Sequence, residues 1–329
     1  MEEIQKFRQR ILQINENNFD PIALELFKFQ AVYNPVYRDY LSFINVKPEK
    51  IHDVSEIPFL PIRFFKSHQV KTGVWTAEKI FHSSGTTVTG HAAHHLDDLN
   101  FYTAHARKFF EKIFGSLKNL NFLAVLPSYQ ERDDSSLVYM ADNFIRNTDC
   151  DLSGFYLNDY EKLSIVLELC RKQHKPTFLL GVTFALLDLI QQGIDFSGVV
   201  VMETGGMKGR RQELTRRHVH QQLCEAFGVL KIHSEYGMTE LLSQAYSKVD
   251  ALFKTPPWMK ILIREINDPM KYCKDGQTGG INIIDLANIN SCSFISTQDL
   301  GRVKKNGFEI LGRFDHSEAR GCNLMTLTE

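Results

Sequence analysis

The sequence predicts an α/β protein with a helix-covered, mainly parallel sheet, a helical N-terminal segment and a smaller β-rich region near its C-terminus. Three observations predict it. Residues 1–78 carry apolar residues at helical spacing; from Lys79 short apolar runs ending in turn residues alternate with helical stretches; after about residue 250 apolar–polar alternation around glycine turns takes over.

In the first segment IQKFRQRILQI and ALELFKFQAVYNPVYRDYLSFI repeat with helical period, until Pro58 and Pro61 break the pattern within EIPFLPIRFF. This segment, 1–78, is expected to pack on the core as helices. The core, 79–250, opens with KIFHSSG, a strand running into a loop. A helix is expected from about Asp97 to Phe114, with Asp97 and Asp98 at its start and Lys108 and Lys112 near its end, the charge order that suits a helix dipole. The runs 121–128, 177–182, 197–204 and 229–237 read as strands, and 137–146, 160–172 and 210–226 as the helices between them. In such sheets ligands bind beyond the carboxyl ends of the strands. In 251–315, MKILIRE, GGINIIDL, SFISTQDLGRV and GFEILGRFD read as antiparallel strands, and 316–329 forms a tail.

Composition narrows the function class. With 38 Lys and Arg against 39 Asp and Glu, the net charge of −1 gives no reason to expect nucleic acid or an anionic membrane as partner. The charged N-terminus has no apolar signal region, and no apolar run of about 18 residues is present, so no membrane span is expected. Six cysteines (Cys150, Cys170, Cys224, Cys273, Cys292 and Cys322) form no CxxC pair, which reads as reduced thiols in the cytoplasm. The 24 Phe and 11 Tyr serve equally to line a pocket or to fill a core.

Four polar segments sit at expected strand ends. In His82–Gly90, Ser83, Ser84, Gly85, Thr86 and Thr87 offer hydroxyl and N–H donors to phosphate oxygens, although His91-Ala92 stands where a P-loop has Lys-Ser/Thr. The competing reading is a solvated strand-to-helix turn. In Glu203–Arg211, Gly205 and Gly206 would let a flat ring lie on bare backbone, and Lys208, Arg210 and Arg211 would meet an anion. A basic β–α turn explains the same residues. In Ser234–Glu240, Tyr236 would stack on a base before Gly237, Thr239 would donate to phosphate and Glu240 would hold Mg²⁺; the alternative is a turn capped by Thr239 into a helix ELLSQAY. In the last, Asp299 would accept the hydroxyls of a ribose with Arg313 nearby, or the two segments are plain polar β-turns. A further cluster, His91, His94 and His95, places His91 and His95 on one face if helical, without a carboxylate or cysteine to complete a metal site.

Taken in order, these segments resemble the core motifs of the adenylate-forming superfamily, most closely the LuxE-type acyl-protein synthetases and more distantly the phenylacetate–CoA ligases, over residues 50–324. The resemblance implies the large-domain architecture of that superfamily. It also implies that Ser83, Ser84, Gly85, Thr86 and Thr87 form a phosphate loop, with Thr86 catalytic. Gly205, Gly206, Tyr236 and Gly237 would flank adenine, Thr239 would touch the α-phosphate, Glu240 would bind Mg²⁺, and Asp299 and Arg313 would hold the ribose of ATP. Two departures stand out. Val88-Thr89-Gly90-His91 lacks the lysine usual after Thr-Thr-Gly, and Ser317–Gly321 lacks the terminal lysine. With the sequence ending at Glu329, the small domain that supplies a catalytic lysine in full acyl-CoA ligases is expected to be absent.

The implied chemistry is attack of a carboxylate, of a fatty acid before an aryl or amino acid, on the α-phosphorus of ATP. The acyl group then passes to Cys322, where Arg320 would lower the thiol pKa, and on to a partner protein such as a reductase or carrier. An acyl-CoA ligase, a non-catalytic nucleotide or acyl-group binding module, and an acyltransferase fed by ready-made thioesters are the alternatives.

Overall fold

The computed structural model describes residues 2–84, 90–127, 131–157, 159–205 and 215–314. The chain opens with α1 (Glu2–Ile11), α2 (Phe19–Tyr33) and α3 (Pro35–Phe43). Phe19, Ile22, Ala23, Leu26, Phe27, Gln30 and Ala31 are the buried stripe of α2, at the spacing one helix face requires. Asn34 separates α2 from α3, its side chain accepting from Tyr37 N while Pro35 starts the new helix. The pattern-breaking prolines lead into a two-residue strand, β1 (Leu60–Pro61), and the single turn α4 (Phe64–Ser67).

β2 (Lys79–His82) and β3 (Ala93–Leu96) pair antiparallel as a separate ribbon. The Ser83 loop therefore joins strand to strand, not strand to helix. α5 (Leu99–Phe114) starts at Asp98, whose side chain accepts from Phe101 N, and stops at Gly115 with φ +95°.

The alternation then runs through β4 (Asn121–Val125), α6 (Ser136–Arg146), β5 (Gly154–Phe155), α7 (Tyr160–Lys172), β6 (Thr177–Val182), α8 (Thr183–Leu189), β7 (Val199–Thr204), α9 (Arg216–Phe227) and β8 (His233–Tyr236). α8 was not expected from the sequence pattern, but a parallel pair such as β6–β7 needs a crossover. After β8 come β9 (Ala245–Ser247), β10 (Phe253–Lys254), β11 (Met259–Arg264), β12 (Gly279–Asp285), β13 (Phe294–Lys304) and β14 (Gly307–Arg313).

The strands other than β2 and β3 hydrogen-bond into one 12-stranded sheet, in the order β11-β12-β13-β14-β10-β9-β8-β7-β6-β4-β5, with β1 on β13. From β5 to β8 the ladder is parallel; beyond β8 the main path is antiparallel. β8 is thus the boundary strand between the two halves.

Aromatic residues fill the space between α5 and the sheet. Phe110 meets Phe122, Phe144, Phe178 and Tyr246 with centroids 4.8–5.9 Å apart, and Phe122 stacks on Phe178 at 5.4 Å. Such pairs contribute about 0.5–1.5 kcal/mol each beyond their buried area. Among the described residues, this aromatic mass is core. No described helix is long and apolar enough to cross a membrane.

Candidate active site

Three strands meet at one carboxylate. Asp299, on β13, is 7% exposed; its Oδ2 accepts from the Tyr236 hydroxyl at the end of β8 at 2.7 Å, and its Oδ1 accepts from Arg313 Nε on β14 at 3.1 Å. Its own N–H donates to Thr297 Oγ1 at 3.1 Å. Burial pushes the Tyr236 hydroxyl pKa well up, and the Asp299 charge adds to it, so the phenol stays a donor. The Asp-Leu-Gly and Gly-Arg segments are not turns, as one reading held. They lie inside β13 and β14, facing each other across the ladder with a register shift at Leu300/Gly301. Gly301 permits this, because a Cβ there would collide with the Glu309 carbonyl.

Glu240 lies in the segment that returns the chain from β8 to β9. It is 8% exposed, and burial pushes its carboxyl up to about 7, against the opposing pull of its own backbone N–H, Arg313 and Lys66. The expected helix ELLSQAY does not form. Leu242 N donates to Asp285 Oδ2 and Asn288 Oδ1, and Ser243 N donates to Asp285 Oδ2, at 2.9–3.1 Å. These amides are taken by side chains at the end of β12 and in the turn after it, so the chain reverses and β9 pairs antiparallel with β8.

Among the described residues no group of three or more His, Cys, Asp and Glu could hold a metal ion. One buried carboxylate is what Mg²⁺ asks of a protein when most of its oxygen ligands are nucleotide phosphates and water. Glu240 would fit a cation that arrives with its nucleotide.

The histidine cluster is not helical. His94 and His95 are neighbours on β3 and project to opposite faces. Both His94 nitrogens are engaged within the protein, with Thr239 O at 2.8 Å and Ser291 Oγ at 2.9 Å. His91 Nδ1 lies 2.7 Å from Ser83 O. The root of the Ser83 loop is closed by Ser83 N donating to Ala92 O and Ala92 N donating to Ser83 Oγ. Ser84 is exposed beside it. Gly85, Thr86 and Thr87 lie outside the described residues.

β7 runs into Gly205, whose φ of +72° favours glycine and whose carbonyl accepts from Thr183 Oγ1 at 3.1 Å. Gly206, Lys208, Arg210 and Arg211 lie outside the described residues. Beneath this strand end are two buried glutamates. Burial alone would raise the Glu203 carboxyl, but His220, Arg216 and Ser234 reverse this and hold it below its usual value. Burial pushes Glu235 up to about 7, the Thr204 hydroxyl opposing and the Glu203 charge adding. Gly237 rests against the Glu235 carboxylate, and a Cβ there would collide with Oε1.

The structure therefore brings Tyr236, Asp299 and Arg313 together, and places Gly237, Thr239 and Glu240 on the segment leaving the same strand. Sequence reasoning passed over Glu203, Glu235, Thr183, Asp285 and Asn288 as individual contributors, and saw His94 only as part of a cluster. Cys322 lies outside the described residues. Of the described cysteines, Cys170, Cys224, Cys273 and Cys292 have thiols raised by burial, Cys292 to about 12.

A family model described as acyl-protein synthetase, LuxE, matches residues 142–328, more than half of the chain. A long-chain-fatty-acid–luciferin-component ligase from Aliivibrio fischeri is 25% identical over 339 residues, covering 93% of this chain and 86% of that protein. A 2-hydroxyisobutyryl-CoA ligase, solved in an open conformation with 2-HIB-AMP and CoA, superposes with a TM-score of 0.66 at 12% identity, over 94% of this chain and 78% of that one. ATP-bound MatB from Rhodopseudomonas palustris superposes with a TM-score of 0.51 at 16% identity, over 71% of this chain; the match spans about half of MatB, 47%. These superpositions establish the fold of adenylate-forming enzymes, with its mixed α/β sheet and β-rich C-terminal part.

Proposed function

The chain belongs to the LuxE acyl-protein synthetase family, and from that premise we propose that it joins a long-chain fatty acid to AMP, moves the acyl group to Cys322 and delivers it to a partner protein. It is a ligase. The observation that carries the nucleotide half of this reading is the Tyr236–Asp299–Arg313 constellation beside Glu240.

Each Asp299 oxygen has a lone pair left after its bonds to Tyr236 and Arg313, so the carboxylate can accept both ribose hydroxyls of ATP. Tyr236 and the bare backbone of Gly205 and Gly206 flank the adenine. Thr239 donates to the α-phosphate, and Ser83, Ser84, Gly85, Thr86 and Thr87 surround the outgoing phosphates. Glu240 holds Mg²⁺. When bound, that ion neutralises charge on the phosphates and on the departing pyrophosphate.

The substrate carboxylate is already ionised at neutral pH and needs no base. One of its oxygens attacks the α-phosphorus, the bond to the β-phosphate oxygen breaks, and pyrophosphate leaves. In the second step the Cys322 thiol gives its proton to solvent, the thiolate attacks the acyl carbon, the bond to the AMP oxygen breaks, AMP leaves and a thioester remains. A described thiol raised by burial, such as Cys292, is a poor candidate for this role. The partner that collects the acyl group is a reductase or a carrier protein. A cytoplasmic setting is supported by the proposed use of ATP and of a free thiol.

The test is carboxylate-dependent ATP–pyrophosphate exchange across fatty and aryl acids, with and without CoA. Exchange with fatty acids and independent of CoA is expected. No exchange with any acid, despite ATP binding, overturns the reading in favour of a binding module. AMP release that requires CoA, without acylated protein, overturns it in favour of an acyl-CoA ligase.

A further inference from the structure

The backbone of Thr239–Ser243 is held by side chains from elsewhere in the chain. The Glu240 carbonyl accepts from Asn288 Nδ2 at 2.8 Å, and the amides of Leu242 and Ser243 go to Asp285 and Asn288. Both of those side chains belong to the end of β12 and the turn after it. The Thr239 carbonyl is different. It is bonded by His94, from the β2–β3 ribbon, whose connecting loop begins at Ser83.

The bonding fixes the state of this imidazole. A carbonyl only accepts, so Nδ1 carries the proton and Nε2 is left to accept from the Ser291 hydroxyl. The ring is 2% exposed, and burial pushes its pKa down to about 4, so it is neutral at working pH. The residues leading into its strand are tied to Ser83. Two residues before His94, Ala92 exchanges hydrogen bonds with Ser83 on both its N–H and its carbonyl. A short bonded path thus runs from Ser83 through Ala92 and His94 to Thr239, the residue before Glu240.

We propose that His94 is a positioning residue: its Nδ1–H bond to the Thr239 carbonyl sets Glu240 at a fixed distance from Ser83, so that both reach one nucleotide and its divalent cation. This rests on the function proposed above.

Two amide variants separate the two ring nitrogens. His94→Asn keeps a donor where Nδ1 stands, and His94→Gln keeps a polar atom only where Nε2 stands. With full-length protein, His94→Asn is expected to retain exchange activity within about threefold, while His94→Gln loses on the order of thirtyfold in kcat, the scale of one lost buried hydrogen bond, and needs more Mg²⁺. Amide hydrogen exchange of the peptide spanning residues 239–244 supplies the readout that needs no turnover. It is expected to speed up in His94→Gln and to stay near wild type in His94→Asn. Equal loss in both variants, or wild-type behaviour of His94→Gln, overturns the proposal. If the wild type itself shows no ATP–pyrophosphate exchange, the functional reading fails separately, and hydrogen exchange alone decides whether His94 orders the segment.

Discussion

Asp299 stands directly opposite Arg313 across the β13–β14 ladder, with Arg313 Nε 3.1 Å from its carboxylate. The partners are unequal: the Asp299 side chain is 10% exposed and that of Arg313 77%. An ion pair open to water on one side adds only about 0–1 kcal/mol to stability. What the pair offers is a buried acceptor with an accessible cation at its rim, a sensible shape for recognising a polar ligand.

Replacing Arg313 by Ala is therefore expected to leave the urea midpoint almost unchanged while raising the KM for ATP by about tenfold, roughly one charge-assisted hydrogen bond. Asp299→Ala costs more in both respects, because the buried Tyr236 hydroxyl loses its acceptor. Exchange kinetics and urea titration on the same preparations separate the two effects.

The Glu240 carboxyl, raised to about 7, makes cation dependence a function of pH. Mg²⁺ requires the anion, so the Mg²⁺ concentration for half-maximal exchange rises by up to tenfold per unit as pH falls below 7, and Glu240→Gln lowers exchange by about 100-fold. Stability has the opposite sign. A carboxyl whose folded pKa lies above its unfolded 4.5 contributes stability that is complete below 4.5 and lost as pH rises through 7. Ligand-free protein should lose on the order of 3 kcal/mol from this group across that window. A Tm that falls no further in wild type than in Glu240→Gln between pH 5 and 8 contradicts the assignment.

Gly237→Ala pushes a methyl group into the Glu235 carboxylate and is expected to destabilise the fold by about 1–3 kcal/mol. Shortening the obstacle should relieve it. The double variant Gly237→Ala/Glu235→Ala is expected to melt closer to Glu235→Ala alone than additivity allows, which a thermal double-mutant cycle measures.

Cys322→Ser separates the two half-reactions. Exchange should survive at about the wild-type rate, because adenylation precedes the thiol step, whereas radiolabelled fatty acid should no longer become covalently attached. Retained label moves the acceptor to another residue.

Gln30, fully buried on α2, donates to the carbonyls of Asn288 and Ile289 and accepts from Ser293 N. Gln30→Ala strands these groups and is expected to cost about 2–4 kcal/mol by urea unfolding. Per folded molecule, exchange should change little, because Gln30 touches no residue assigned to the nucleotide.

How much of this was legible beforehand follows from the range of the forces involved. β6 reads off TFLLGV because a strand buried on both faces is apolar throughout, and α5 begins beside the Asp98 that caps it. Local rules failed where remote side chains captured the backbone. ELLSQAY has good helix formers, but Asp285 and Asn288, more than 40 residues away, take its amides. Asp299-Leu300-Gly301 has the composition of a turn and became strand because Arg313 and its neighbours lie alongside. In the sequence His94 is only the middle member of a cluster in which His91 and His95 would share a face if helical. That it is a fixed-tautomer donor depends on Thr239, 145 residues further on.

The bond between Gln30 and Ser293 spans 263 residues. A ribosome adds about 5–20 residues per second, so the apolar stripe of α2 emerges roughly 10–50 seconds before the turn that it covers exists. During that interval Phe19, Ile22, Leu26 and Phe27 have no native partner from the late strands. A chain that stops anywhere before residue 293 therefore lacks the partner of Gln30 and cannot complete that part of its core.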